Sequence, residues 1–325
     1  MQEGAFALID CLGFKGIWKR TDPTLLLKKL SNIDKIINER VTSDAFAFKY
    51  LSFGPIRVHV RLLSDTVAIS LQYETLEGKE SINRQKNILV ALMCDSIVKV
   101  LNLFLDGEPP LVLRGCVTYG EHLSEGNFIV GPAVDDAAEH MNLAEGAFVW
   151  LHPNAALRFR KFQASMIAYI IAAPPELLAS ALKVMKDPEG RFDHLRTAIE
   201  EHGAESVGKA MAEVMKPLVI TPVVVDPYPM PLKGGGQLQC PIINPLAFQQ
   251  TEGDRKSVID MYSKIITGDR LDIWLKRQHT MDFLEVAERF TAQFESNIAP
   301  LREISSRKED EKMNDTSTEE NPLTE

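Results

Sequence analysis

Residues 5 to 12, Ala-Phe-Ala-Leu-Ile-Asp-Cys-Leu, form a short apolar run rich in strand formers and closed by Gly13. Such a run reads as a central strand that ends at a loop, with Asp10 at its end. Residues 56 to 71, Ile-Arg-Val-His-Val-Arg-Leu-Leu followed by Ser-Asp-Thr-Val-Ala-Ile-Ser-Leu, read as two strands hinged at Ser64-Asp65, a hairpin with an acid in its turn. If these strands are neighbours in one sheet, Asp10 and Asp65 stand side by side.

The rest of the first half completes that sheet. Asp22 as cap and Pro23 at the first helical position start a helix to about Arg40. A long helix is predicted from about Ile82 to Leu105, broken by Gly107-Glu108-Pro109-Pro110. Strands follow at Leu111 to Tyr119, Asn127 to Val130 and Ala147 to Trp150, with a helix from Gly131-Pro132 to about Leu143 between the last two. This order predicts an α+β fold, an antiparallel sheet with helices on one side.

Signals weaken beyond about residue 155. Leu177 to Met185 and His194 to Met215 read as helices, Leu218 to Val225 as a strand, and Gly234 to Gly236 as a turn before Gln237 to Ile243. Helices are expected from Arg255 to Ile266 and from Arg270 to about Phe294, where Trp274, Phe283, Phe290 and Phe294 serve core or dimer packing. The expected organisation is a first domain over 1–155, a mixed extension packed on it over 156–300, and a disordered acidic tail over 301–325.

Composition narrows the function classes. Of the 325 residues, 45% are hydrophobic and 25% charged, as in ordinary globular proteins. No apolar run is read as reaching the roughly 18 to 20 residues of a membrane span, and the N-terminus lacks a signal-peptide layout, so a cytoplasmic location is expected. A formal net charge of −9 argues against sequence-independent nucleic-acid binding, which needs a basic footprint. Cys11, Cys94, Cys116 and Cys240 lie far apart with no C-x-x-C spacing, so reduced, mostly buried thiols are expected rather than a zinc site or a disulfide framework.

Two strand-end carboxylates suit Mg²⁺ or Mn²⁺, which take oxygen ligands and keep positions open for substrate phosphates. Two such ions can activate an attacking oxygen and neutralise a leaving pyrophosphate. Gly13, Phe14 and Lys15 would offer backbone N–H groups to phosphates at a helix start, and Leu12 is placed in the same candidate set. Alone, each acid also fits an ordinary turn or cap.

The run Asp10-Cys11-Leu12-Gly13-Phe14, the run Arg61-Leu62-Leu63-Ser64-Asp65, and Arg114-Gly115 with Gly120 leading to Gly131-Pro132-Ala133-Val134-Asp135-Asp136-Ala137-Ala138 together resemble the class III nucleotidyl cyclases over residues 5 to 152. The resemblance is closest to the bacterial pyrimidine (uridylate or cytidylate) cyclases of the Pycsar anti-phage defence system, which are also similar in the Pro-Leu-Lys-Gly run from Pro231 and the Asn-Pro-Leu run from Asn244. It implies a ferredoxin-like cyclase fold and a homodimer of antiparallel protomers. It also implies two divalent ions on Asp10 and Asp65, with a backbone carbonyl from Cys11.

The resemblance also implies where the base is read. Purine cyclases use a Lys and an Asp where this chain has Arg61 and Phe128. Phe128 can stack or exclude but accepts nothing from an adenine amino group. Arg61 offers donors alone, which suits pyrimidine carbonyls. Uracil has two and cytosine one, which favours UTP. A family Asn and a transition-state Arg are replaced by Asp135 and Glu139, so either another cation serves, with Arg114, Lys15 and His140 as candidates, or activity is reduced. The implied function is conversion of UTP or CTP to the 3′,5′-cyclic monophosphate, a second messenger for a cyclic-nucleotide-responsive effector. The alternatives are a cyclase-like nucleotide-binding or sensor protein with reduced catalysis, and a purine cyclase with an unusual base pocket.

Overall fold

The computed structural model describes residues 1–14, 16–19, 21–48, 55–74, 79–126, 128–171, 222–249, 251–268 and 270–316. In chain order these form β1 (Gln2–Cys11), α1 (Pro23–Phe48), β2 (Ile56–Leu63), β3 (Thr66–Tyr73), α2 (Lys79–Leu105), β4 (Leu113–Glu125), β5 (Phe128–Val130), α3 (Pro132–His140), β6 (Val149–Leu151), α4 (Pro153–Ile171), β7 (Val224–Pro231), β8 (Gln237–Ile243), α5 (Glu252–Ile265) and α6 (Leu271–Thr316). The helices expected at 177–185 and 194–215 and the first residues of the strand expected from 218 lie outside the described residues.

One sheet runs β2-β3-β1-β4-β6-β8-β7, with β5 paired to β4 off that path. Its ladders are antiparallel except for β4 with β6. The α+β class read from the sequence therefore holds. Along β1 the side chains alternate between faces. Ala5, Ala7, Ile9 and Cys11 join Leu26, Leu30, Ile33 and Ile37 of α1 and the apolar stripe of α2 in the larger core. Phe6, on the other face, packs with Ala133 and Ala137 of α3. The face opposite α1 and α2 is thus not bare. Further along it, Trp150 packs among Tyr228, Met230, Val258, Tyr262 and Phe283 from the C-terminal elements.

Three expectations change. The boundary at 155 disappears, because Met1–Gln163 and Pro222–Thr291 form one compact unit. β8 reaches the sheet through the pairing of Trp150 with Ile242, so the second half supplies strands rather than an appended layer. The other unit is Ala164–Thr221 with Ala292–Glu325. Where a disordered tail was expected from 301, α6 continues as helix to Thr316, through a Lys-, Arg- and Glu-rich stretch of good helix formers. Finally, Gln85–Leu105 is long and apolar enough to cross a bilayer, but 72% of that window is buried in the fold, which makes α2 a core helix.

Two local features fix the end of the sheet where Asp10 lies. Lys29 of α1 donates from Nζ to the carbonyls of Phe104 (2.9 Å), Asp106 (2.7 Å) and Pro109 (2.6 Å), tying α1 to the turn that feeds β4. Gly115 lets β4 lie against β1, since a Cβ there would stand 2.2 Å from the Leu8 carbonyl oxygen and 2.8 Å from Ile9 Cα. Gly115→Ala is therefore expected to destabilise the protein by about 3 kcal/mol or more through overpacking at the centre of the sheet. Thermal melting of the purified variant checks this, and a wild-type midpoint would refute it.

Candidate active site

The ladder registers bring the two acids together. Asp10 pairs with Thr66 across β1 and β3, and with Arg114 across β1 and β4. The β2–β3 connection is the two-residue turn Ser64-Asp65, with Ser64 in the left-handed region at φ 60°. A non-glycine residue held there costs about 1–2 kcal/mol, and such strain gathers at functional sites. The turn is also tied down from outside, because the Cys11 N–H donates to the Asp65 carbonyl at 2.9 Å. Asp65 is thereby fixed beside the end of β1.

Among the described residues Asp10 has only long partners: Arg114 Nη2 at 3.4 Å and Thr66 Oγ1 at 3.5 Å. Charge-assisted bonds are normally 2.7–2.9 Å, so the carboxylate is under-coordinated. Burial, followed by the charge of Asp65, raises the Asp10 pKa, and the opposing pull of Arg114 does not overcome them. Two carboxylates that repel one another and lack short donors among the described residues fit a hard cation. Among the described residues no three His, Cys, Asp or Glu side chains converge as a ready-made metal cage, so water or substrate oxygens would complete the coordination. The Cys11 thiol is buried among the helix-side core residues, with burial raising its pKa, so only its backbone lies at the site.

The candidate phosphate contacts are revised. The Leu12 N–H already donates to the Val112 carbonyl at 2.8 Å and has no second proton to give, so Leu12 leaves that set as a backbone donor. Lys15 lies outside the described residues. After Phe14 comes a 3-10 turn at Ile17–Lys19, and α1 starts only at Pro23. Among the described residues, no helix N-terminus stands at Gly13 or Phe14. Gly13 keeps φ 76° with open space where a side chain would stand, which lets a ligand approach its backbone.

Of the substitute cations among the described residues, Arg114 is the one brought against Asp10, and its buried Nε has no hydrogen-bond partner among them. His140 is turned to its own helix, with Nδ1 2.8 Å from the Asp136 carbonyl and its ring 4.9 Å from that of His152. Asp135 and Glu139 are exposed on α3. The base-reading candidates lie on two hairpins joined by one contact, Arg61 on β2 and Phe128 on β5. Arg61 donates from Nε to the Gly126 carbonyl at 3.0 Å and from Nη1 to the Val60 carbonyl at 2.8 Å. Phe128, two residues beyond Gly126, is 76% exposed. Arg61 pairs with Ala68, and Ala68 with Leu8. Strand spacing and rise then separate Arg61 from Asp10 by about 12 Å on the same face.

A functional candidate was missed. Lys233, in the turn between β7 and β8, lies close enough to Arg114, Lys276, Asp10 and Glu145 for their charges to act on it, and burial is the main cause of its lowered pKa. Its backbone is held by a bond to the Leu143 carbonyl at 2.9 Å and by the bridge between Leu232 and Ala144. The sequence shows a Lys before three glycines. Only the path of the hairpin reveals that it lies within charge range of Asp10.

No protein-family model matches the chain, and no curated protein matches it. Among solved structures, it is similar to the catalytic core of a rhodopsin-guanylyl cyclase with converted specificity in complex with ATPαS, at 11% identity and a TM-score of 0.36 over 49% of this chain and 81% of that one. It is also similar to the adenylyl cyclase CyaB from P. aeruginosa, at 14% identity and a TM-score of 0.34 over 49% of this chain and 82% of that one. The guanylyl cyclase Cya2 gives 11% identity and a TM-score of 0.31 over 48% of this chain and 78% of that one.

Proposed function

We propose that the protein is a pyrimidine nucleotide cyclase that converts UTP, or CTP, to the 3′,5′-cyclic monophosphate and pyrophosphate. The observation that carries this reading is the under-coordinated pair Asp10 and Asp65 with Arg114 and Lys233 beside it. The acids would hold two divalent ions, Mn²⁺ or Mg²⁺, whose Lewis acidity favours ionisation of the ribose 3′-hydroxyl and neutralises the leaving phosphates. The 3′-oxygen attacks the α-phosphorus, the bond to the bridging α,β oxygen breaks, and the hydroxyl proton passes to solvent. Arg114 and Lys233 contribute fixed positive charge where negative charge builds on the departing pyrophosphate.

Arg61 keeps donors for base carbonyls after its contacts with Gly126 and Val60, and Phe128 supplies an aromatic surface without an acceptor. Exposed Leu63, Leu123, Phe128 and Val130 on this hairpin region support a homodimer, since apolar groups gathered on a surface mark interaction sites. The product would act as a second messenger on a cyclic-nucleotide-responsive effector in anti-phage defence.

The test is incubation of the purified protein with equimolar ATP, GTP, CTP and UTP and Mn²⁺, with products resolved by mass spectrometry. A single cyclic pyrimidine nucleotide is expected, cyclic UMP first. A cyclic purine as the main product would overturn the base assignment. Nucleotide binding without turnover would leave a sensor protein as the reading.

A further inference from the structure

The face that carries Asp10 also holds a buried polar cluster outside the acid site. His122, Ser70, Gln72 and Ser124 are all buried, His122 completely. His122 Nδ1 lies 3.2 Å from the Gly120 carbonyl, and Nε2 lies 2.8 Å from Ser70 Oγ. The Ser124 hydroxyl donates to Ser70 Oγ at 3.0 Å. A carbonyl only accepts, so Nδ1 carries the proton and Nε2 accepts from Ser70. Gln72 Nε2 secures the backbone by donating to the His122 and Gln2 carbonyls, each at 2.9 Å.

The position of this cluster gives it a role. The β1–β4 ladder ends at the pair Gln2 and His122, and the β4–β5 ladder begins at Leu123 and Val130. His122 is therefore the residue at which β4 changes partners. Four residues on, the Gly126 carbonyl takes the Arg61 guanidinium, and Phe128 follows. The approach is close, since a methyl on Gly4 would stand 2.9 Å from His122 Cε1.

We infer that His122 is a positioning residue for base recognition: its imidazole, pinned by Ser70 and Ser124, sets the pitch at which the β4–β5 hairpin leaves the sheet and so places Phe128 against Arg61. The inference rests on the base-reading role given above to those two residues. β1 faces His122 with Gly4 and Phe6, and β3 with Ser70 and Gln72; none of these titrates, and His59 of β2 is the titratable group whose charge reaches it. Burial lowers the His122 pKa below its ordinary 6.5. The neutral ring is favoured in the fold, so this support is present above pH 6.5 and is lost as pH falls below it.

The test combines amide hydrogen exchange over residues 123–130 with the ratio of kcat/KM for UTP to that for ATP, in wild type, His122→Ala, His122→Gln and Arg61→Ala. In His122→Ala, exchange in the hairpin is expected to rise at least tenfold and the UTP preference to fall at least tenfold, mainly through KM. His122→Gln, which retains an acceptor towards Ser70, restores most of both. In wild type, hairpin exchange beyond the intrinsic rate increases below pH 6.5, and in His122→Gln it does not. Ser70→Ala removes the same bond with a smaller change and gives the same loosening if His122→Ala does not fold. Unchanged hairpin exchange and preference in a folded variant, with Arg61→Ala still shifting preference, overturns the inference alone. If Arg61→Ala leaves preference unmoved, or wild type forms no cyclic product, the base-reading role falls, and the exchange measurement decides whether His122 positions the hairpin.

Discussion

Asp65→Ala is expected to cut cyclic-nucleotide formation by a factor of about 10³ or more, while leaving the metal-free protein at least as stable as wild type. The two effects share one cause. Asp10 is half-buried with its pKa raised, first by burial and then by the Asp65 charge. A carboxylate whose folded pKa is raised favours folding below its ordinary 3.8, and that contribution is lost as pH rises through the folded value. At neutral pH the metal-free site is therefore under electrostatic tension, which removal of Asp65 relieves. A bound divalent cation relieves it too. Mn²⁺ should raise the wild-type melting temperature at pH 7 and do so progressively less as pH falls towards the Asp10 pKa, whereas Asp65→Ala should show little response at any pH. Scanning calorimetry with and without Mn²⁺ checks both arms. Full activity in Asp65→Ala would remove the metal assignment altogether.

Arg114→Met should carry the next largest loss, about 10²–10³-fold in kcat/KM, the magnitude typical of removing one fixed charge that stabilises a transition state. Among the described residues Arg114 is the cation nearest Asp10, at 3.4 Å, and its charge and hydrogen bond lower the Asp10 pKa. Without it, Asp10 holds its proton to higher pH. The acid limb of the pH–rate profile should move upward in the variant, whereas loss of a remote structural contact would scale the profile without shifting it. Lys233→Gln should give a smaller loss with less displacement of that limb, because Lys233 has no direct bond to Asp10. An unshifted profile in Arg114→Met would separate Arg114 from Asp10 in function.

The acid pair was legible because its determinants are local. An apolar run ending in Asp10 and an alternating hairpin with Asp65 in its turn announce themselves in a few residues, and the pairing of β1 with β3 follows. What failed depends on distant chain. The Leu12 N–H is consumed by Val112, a carbonyl from the far side of α2. The strand expected to end at Val225 runs as β7 to Pro231, and its Pro227, Pro229 and Pro231 are tolerated because β7 is the sheet edge. α4 went unread, and its first turn is marked by Pro153 and by Asn154, which accepts from the Ala155 N–H at 2.7 Å. The placing of Lys233 within charge range of Asp10 could not be read from spacing, because it depends on the path of the turn between β7 and β8.

The order in which the site's parts occur along the chain has a consequence for synthesis. Asp10, Asp65 and Arg114 lie in the first part of the compact unit, but the hairpin bearing Lys233 joins the sheet only after the stretch from Ala164 to Thr221 has been made. Synthesis runs from the N-terminus at roughly 5–20 residues per second, and a compact unit folds as a whole. A growing chain on the ribosome thus displays both acids while β6, three residues long, still waits for its outer neighbour. A translation product halted before β8 would lack Lys233's anchored turn and the far edge of the sheet. In the proposed enzyme, such a fragment would carry its metal-binding acids and yet send no message.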